Sequence, residues 1–143
     1  MTTNLQSAQT VSDIMSHDVV KVTPNTSLEE AKQLFDKHKI RHAPVVHQGK
    51  LAGIVSLTDI QRLSFGDTYG TAEGDIDRAM ADMLTIGQVM NHKPVTVAPT
   101  DSVKLVAELL TKAEFHALPV VDNDKLVGIV TTTDIIRCLL QLL

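Results

Sequence analysis

Sliding the chain against itself by 75 positions aligns residues 11–63 with residues 86–138 without a gap, and about 20 of the roughly 53 aligned positions are identical. The shared landmarks run in order: Met15 with Met90, Val20 and Val22 with Val95 and Val97, Pro24 with Pro99, and Ser27 with Ser102. Pro44-Val45-Val46 then aligns with Pro119-Val120-Val121, and Gly-Ile-Val-Ser-Leu-Thr-Asp at 53–59 with Gly-Ile-Val-Thr-Thr-Thr-Asp at 128–134. Two copies of this length imply two similar supersecondary units whose apolar faces cover each other, because neither half alone buries enough surface. The chain divides into an N-terminal segment 1–10, a first copy 11–63, a connection 64–85 and a second copy 86–143.

Each copy reads alike. Val20 and Val22, or Val95 and Val97, alternate with polar residues as a short strand does, and Pro24 or Pro99 ends it. A helix follows from Ser27, with Glu30 three residues on as a capping-box pattern. In the second copy Asp101 or Ser102 can cap, but Leu105 stands where the Glu was. Leu28, Ala31, Leu34 and Phe35 share one helical face, as do Val103, Val106, Leu109 and Leu110. Ala43–Val46 and Leu118–Val121 predict strands, with turns at Gln48-Gly49-Lys50 and Asn123-Asp124-Lys125 and return strands at 51–55 and 126–130. A last helix begins near each aspartate, so each copy is β-α-β-β-α.

The connection carries three glycines in its first half, read as loop. Residues 75–84 predict an acidic amphipathic helix with Ile76, Met80, Met83 and Leu84 inward. Charge and composition narrow the function classes. A net charge of −4 lacks the basic face that drives nucleic-acid binding. Cys138 is the single cysteine, which rules out an intramolecular disulfide or a cysteine zinc cluster and points to a reducing compartment. With neither a basic, apolar leader nor a run of about 20 apolar residues, the expectation is a cytoplasmic protein without membrane contact.

The repeated phrase carries the chemistry. Gly53 and Gly128 permit close approach of a backbone or a ligand. Ser56 or Thr131 stands at the strand exit, and Thr58-Asp59 or Thr133-Asp134 at a helix start, where short polar side chains cap and free N–H groups attract anions. Capping alone accounts for much of this pattern. It does not, on this reading, require a hydroxyl three residues before the aspartate.

The pair of copies, with the phrase Gly, two apolar residues, Ser or Thr, any two, Asp, resembles a tandem of CBS (cystathionine-β-synthase-type) domains. The segments Val-Ser-Asp-Ile-Met15 and Ile-Gly-Gln-Val-Met90 and the apolar-Pro-Val-Val strands carry the resemblance too, which spans about residues 11–140 as one Bateman module. It implies an α/β (α+β) fold of two β-α-β-β-α repeats packed through their sheets with pseudo-twofold symmetry. It also implies a non-catalytic regulatory module that senses an adenosine-containing ligand: AMP, ADP, ATP, S-adenosylmethionine or NAD. Ser56, Thr58, Asp59, Thr131, Thr133 and Asp134 would meet ribose or phosphate, since an ionised Asp can accept from both ribose hydroxyls. By the same carry-over, Thr131 and Asp134 face Met15, Val20, Ile40, Arg41 and His42, while Ser56 and Asp59 face Met90, Val95, Phe115, His116 and Ala117. Within these sets Met15, Val20, Ile40, Met90, Val95, Phe115 and Ala117 line the adenine pocket, and Arg41, His42 and His116 serve phosphate. Arg41-His42 against His116-Ala117 predicts unequal sites.

Other constellations are weaker. His38, His42 and His47 suggest a metal-responsive regulator, but Pro44 and the following strand put His38 and His42 on different elements, so no metal site is assigned. No Gly-x-Ser-x-Gly elbow places a base near Ser56, so no catalytic residue is assigned and no cofactor is required. Cys138 belongs to the apolar side of the last helix, and Met15 and Met90 read first as core. A homodimer through apolar helices, an effector protein and a ligand-free dimerisation scaffold complete the expectations.

Overall fold

A computed structural model describes residues 9–64, 83–112 and 116–143. In chain order its elements are α1 (Val11–Ile14), α2 (Leu28–His38), β1 (His42–His47), β2 (Lys50–Ser56), α3 (Leu57–Ser64), α4 (Ile86–Val89), α5 (Val103–Lys112), β3 (Ala117–Asp122), β4 (Lys125–Thr131) and α6 (Thr132–Leu142). The fold is mixed α/β, built on antiparallel hairpins and helices. None of the described helices is long and apolar enough to cross a membrane.

The chain forms two compact units that do not coincide with the two sequence copies. A central unit comprises Val20–Lys93, and a terminal unit comprises Met1–Val19 with Pro94–Leu143. In the central unit, β1 pairs with β2 across Gln48 (φ 53°) and Gly49 (φ 80°), two left-handed residues that match the turn to the strand twist. Asn123 (φ 51°) and Asp124 (φ 68°) do the same between β3 and β4. In each hairpin the register slips by one residue opposite the second and third residues of Pro-Val-Val, the mark of a bulge.

The central core packs Val22, Leu28, Ala31, Phe35, Val45, Val55 and Ile60 with Ile86, a residue of the second copy. Ile86 and Gly87 donate their N–H groups to Thr26 and Pro24 at 2.8 Å, and Asn91 exchanges backbone bonds with Ile54 at 2.8 and 3.1 Å. The terminal unit mirrors this. Val11 and Met15 of the first copy join Val97, Val106, Leu118, Val120 and Val130. Val11 donates to Asp101 at 2.8 Å, and Ser16 exchanges bonds with Ile129 at 2.9 and 3.1 Å. Each copy therefore lends its opening segment to the other copy's hairpin.

Several expectations change. The first strand of each copy shrinks to one parallel bridge, Val22 to Val45 and Val97 to Val120. Pro24 and Pro99 lack the N–H that would extend the ladder, and Thr26 Oγ1 and Asp101 Oδ2 turn the chain by accepting from Thr23 N at 3.0 Å and Ala98 N at 2.8 Å. Each copy opens instead with a one-turn helix, α1 or α4, closed by the capping boxes Thr10/Asp13 and Thr85/Gln88. Ser27 accepts from Glu30 N at 3.1 Å and Ser102 from Leu105 N at 3.1 Å, so Ser102 rather than Asp101 caps α5. Leu84 packs on the central core as expected, but Met83 is 81% exposed rather than inward. The rest of the expected linker helix lies outside the described residues.

Candidate ligand-binding site

The repeated glycines serve the exchanged segments. A Cβ at Gly53 would stand 2.5 Å from the Asn91 carbonyl oxygen and 2.8 Å from Met90 Sδ. At Gly128 it would stand 2.8 Å from the Ser16 carbonyl oxygen and 2.7 Å from Met15 Sδ. Both are closer than real contacts allow, so only glycine lets the opening segment lie flat on the strand. In this structure the close approach is made by a backbone carbonyl and a methionine side chain of the opening segment.

Beyond each glycine the strand ends in a hydroxyl and turns into a helix. Thr131 is the N-cap of α6 in extended conformation, and Asp134 is the third residue of the helix. Thr131 Oγ1 accepts from Asp134 N at 3.3 Å, while Asp134 Oδ2 accepts from Thr131 N at 2.9 Å and from Thr131 Oγ1 at 3.1 Å. This is a full capping box, so the spacing of hydroxyl and aspartate has a structural cause, contrary to the expectation above. In the central unit Ser56 Oγ accepts from Asp59 N at 3.1 Å. No hydrogen bond from a described residue reaches the Asp59 carboxylate. Asp134 is 8% exposed, whereas Asp59 is half-buried. Thr58 and Thr133, expected at the cap, lie instead in the exposed first turn, because the helices start earlier at Leu57 and Thr132.

The pocket residues gather by compact unit. Met90 of the second copy lies against Gly53 of the first, and Met15 against Gly128. Met15 is buried in the terminal core and Met90 half-buried against the central one. Ile40, Arg41 and His42 adjoin the phrase of their own copy. His42 pairs with Ser56 in the strand register, and Arg41 accepts through its carbonyl from Leu57 N at 2.8 Å. Likewise Ala117 pairs with Thr131, and the His116 carbonyl accepts from Thr132 N at 3.0 Å. Arg41 and His116 are exposed, His42 half-buried and Ala117 buried. Val20 belongs to the central unit and is half-buried, whereas Val95 packs on the terminal core. Phe115 lies outside the described residues. Sequence reading missed Leu57, Lys32 and Lys39, which with Ile40 and Arg41 line a cleft of about 430 Å3 in the central unit. The signal was a second cation spacing, Lys32 and Lys39 around a buried Phe35.

Among the described residues no group of three His, Cys, Asp or Glu side chains is placed to hold a metal ion. His38 ends α2 and His42 begins β1. Cys138 is buried on the inner face of α6, its thiol 3.8 Å from Gln9 Oε1.

Two hairpin-and-helix cores of repeated sequence, each with a polar phrase at a strand-to-helix turn, define a tandem-repeat domain pair. The family model described as CBS domain matches residues 11–66 and 86–141, and the chain belongs to that family. The CBS domain-containing protein YhcV of Bacillus subtilis is 31% identical over 87% of this chain and 81% of its own length. The solved structure of CBSX2 in complex with AMP is similar with a TM-score of 0.78 and 30% identity, over 94% of this chain and 98% of that one. The CBS domain pair of protein MJ0100, solved in complex with 5-methylthioadenosine and S-adenosyl-L-methionine, has a TM-score of 0.75 and 32% identity over 93% and 97%. Some curated relatives are longer. The chain spans 46% of protein MJ1225 of Methanocaldococcus jannaschii and 23% of a homoserine O-acetyltransferase of Methanocorpusculum labreanum.

Proposed function

We propose that this chain is a regulatory module that binds an adenosine-containing ligand and carries out no chemistry of its own, acting in a reducing compartment such as the cytoplasm. One observation carries the reading: a half-buried Asp59 carboxylate stands in the first turn of a helix, in the unit that holds Arg41 and His42. An ionised carboxylate accepts from both hydroxyls of a ribose, and a guanidinium recognises phosphate oxygens in pairs. Solved relatives hold AMP, or 5-methylthioadenosine and S-adenosylmethionine, which supports this ligand class. The ligand acts by preferring one arrangement of the module over another, and an effector protein reads the difference. Of the two phrases, the central one is the stronger site.

Melting the protein with AMP, ADP, ATP, S-adenosylmethionine and NAD in turn tests this. A ligand at about 100 times its dissociation constant stabilises the fold by about 2.7 kcal/mol, a shift of several degrees. A melt that none of these compounds moves sinks the reading.

A second reading, a dimerisation scaffold, draws on a different surface. Ile136, Leu139 and Leu140 on α6 are 51%, 52% and 64% exposed, and their spacing puts them on one helical face. A homodimer through this stripe is compatible with either reading. Sedimentation of Leu139→Glu against the unchanged protein tests it: a monomer from a dimer supports the interface, and an unchanged mass removes it.

A further inference from the structure

A sulfur holds the opening segment of the second copy against β2. A Cβ on Gly53 would stand 2.8 Å from Met90 Sδ and 3.1 Å from Met90 Cγ, so the thioether lies over the bare face of the glycine. The next residue, Asn91, exchanges backbone bonds with Ile54 at 2.8 and 3.1 Å. A thioether suits this seat because it is apolar, polarisable and unbranched. Its sulfur is also the atom of the contact that a mild oxidant attacks.

The two copies shield that atom differently. Met15 makes the same contact over Gly128 and is 9% exposed as a member of the terminal core. Met90 is half-buried and packs against the central core without joining its buried set. Met83, 81% exposed, is the opposite extreme, where an added oxygen simply meets water. Oxidation of methionine follows exposure, so these three residues form a graded series.

Packing alone accounts for a methionine at position 90, and the consequence of oxidising it follows from the same packing. The N–H groups beside the contact are committed: Met90 N donates to Ile86 at 2.8 Å, Asn91 N to Ile54 at 2.8 Å and Ile54 N to Asn91 at 3.1 Å. A sulfoxide oxygen seated over Gly53 would be a strong acceptor with none of these donors left for it. The side chain must turn outward to water, which uncovers Gly53 and removes the apolar clamp next to Asn91.

We infer that Met90 is a site of reversible oxidation by a peroxide, which loosens the opening segment of the second copy from the central hairpin while Met15 stays reduced. In this step the sulfur lone pair forms a bond to one peroxide oxygen and the O–O bond breaks. The proton on the transferred oxygen passes to the departing hydroxide, so the sulfur loses two electrons as sulfoxide and the peroxide leaves as water. A methionine sulfoxide reductase restores the thioether at the expense of a thiol. Gly53 opens the central phrase and β2 runs on to Ser56, so the oxidised residue sits against the phrase itself. The oxidation does not depend on which ligand the phrase takes.

The test is graded treatment of the full chain with hydrogen peroxide, with each methionine followed by tandem mass spectrometry and the protein followed by thermal melting. Met83 is expected to convert first, Met90 next, and Met15 at least about tenfold more slowly than Met90. The melting temperature is expected to fall by about 5 °C in step with Met90 conversion, not with that of Met83. Met90→Leu keeps the volume and removes the sulfur, and its melt is expected to withstand the same dose, whereas Met83→Leu falls like the unchanged chain. Recovery with the two methionine sulfoxide reductases and their reductant, but not with the reductant alone, assigns the loss to sulfoxide rather than to Cys138. Met90 converting no faster than Met15, or converting fully without a change in the melt, overturns the inference. An equal fall in Met90→Leu overturns it as well, because the loss then belongs to another residue. Should the leucine variant fold poorly, the match between Met90 conversion, melt and enzymatic recovery in the unchanged chain decides alone.

Discussion

In the terminal unit the phrase closes on itself, because Thr131 N and Oγ1 both donate to Asp134 Oδ2 and the carboxylate is 8% exposed. In the central unit Ser56 receives the Asp59 N–H, but Asp59 itself stays half-buried with no donor among the described residues. Aligned letters thus carry different commitments. A carboxylate already taking two hydrogen bonds in a capping box has less to give a ligand than one outside such a box, and Asp59 sits in the unit with Arg41 and His42. A duplicated motif can keep one copy as a structural cap and leave the other for binding.

The largest expected effect tests what the two units share. Gly53→Ala and Gly128→Ala each drive a Cβ into a carbonyl oxygen and a methionine sulfur. Each is expected to cost about 2–3 kcal/mol in urea denaturation, the scale of overpacking a tight contact. A cost for Gly53→Ala well below that for Gly128→Ala would show that the opening segment of the second copy is held more loosely than that of the first.

Next comes the contrast between the aspartates. Asp134→Ala breaks a buried capping box and is expected to lose about 1–2 kcal/mol of stability, with little change in ligand binding. Asp59→Ala is expected to lose less than about 0.5 kcal/mol and to abolish the ligand-induced rise in melting temperature. Reversed outcomes would place the working site in the terminal unit.

The ease of reading these features from sequence differed with their physical origin. The hairpins, the helix faces and the repeat itself were legible because periodicity and turn residues act locally: Gln48-Gly49 and Asn123-Asp124 name their turns. The exchange of opening segments was not, since a repeat offset of 75 is the same whichever hairpin receives Ile86 or Val11. Thr10/Asp13 and Thr85/Gln88 did carry the capping-box signature of the two short helices. At the site, Ser56, Asp59, Thr131 and Asp134 could be picked out by type and spacing. Thr131 and Asp134 carry the same Thr-x-x-Asp signature as Thr10 and Asp13, whereas the meeting of Lys32 and Lys39 with Arg41 and Leu57 at one cleft depends on tertiary geometry that spacing does not encode.

A smaller effect is expected at the phosphate end. Arg41→Ala should weaken ATP by about fivefold to tenfold and adenosine hardly at all, as read by calorimetry, while His116→Ala in the terminal unit leaves both unchanged. Equal losses for ATP and adenosine would remove Arg41 from any phosphate role.

The smallest expected effect bears most directly on why the two phrases differ. Ser56 and Thr131 occupy the same cap position, and only Thr131 is β-branched, which narrows its χ1 choices. A threonine at position 56 has fewer orientations for its hydroxyl, and one that points at Asp59 would reproduce the closed box of the terminal unit. Ser56→Thr is therefore expected to raise the stability of the protein by no more than about 0.5 kcal/mol and to weaken ligand binding, since Asp59 would then be engaged by its own cap. Thr131→Ser is expected to do the reverse in stability and leave binding alone. If both exchanges leave melting temperature and affinity where they were, the difference between Asp59 and Asp134 has its cause outside the cap residue, in the strand partner His42 or the half-buried surroundings of the helix start.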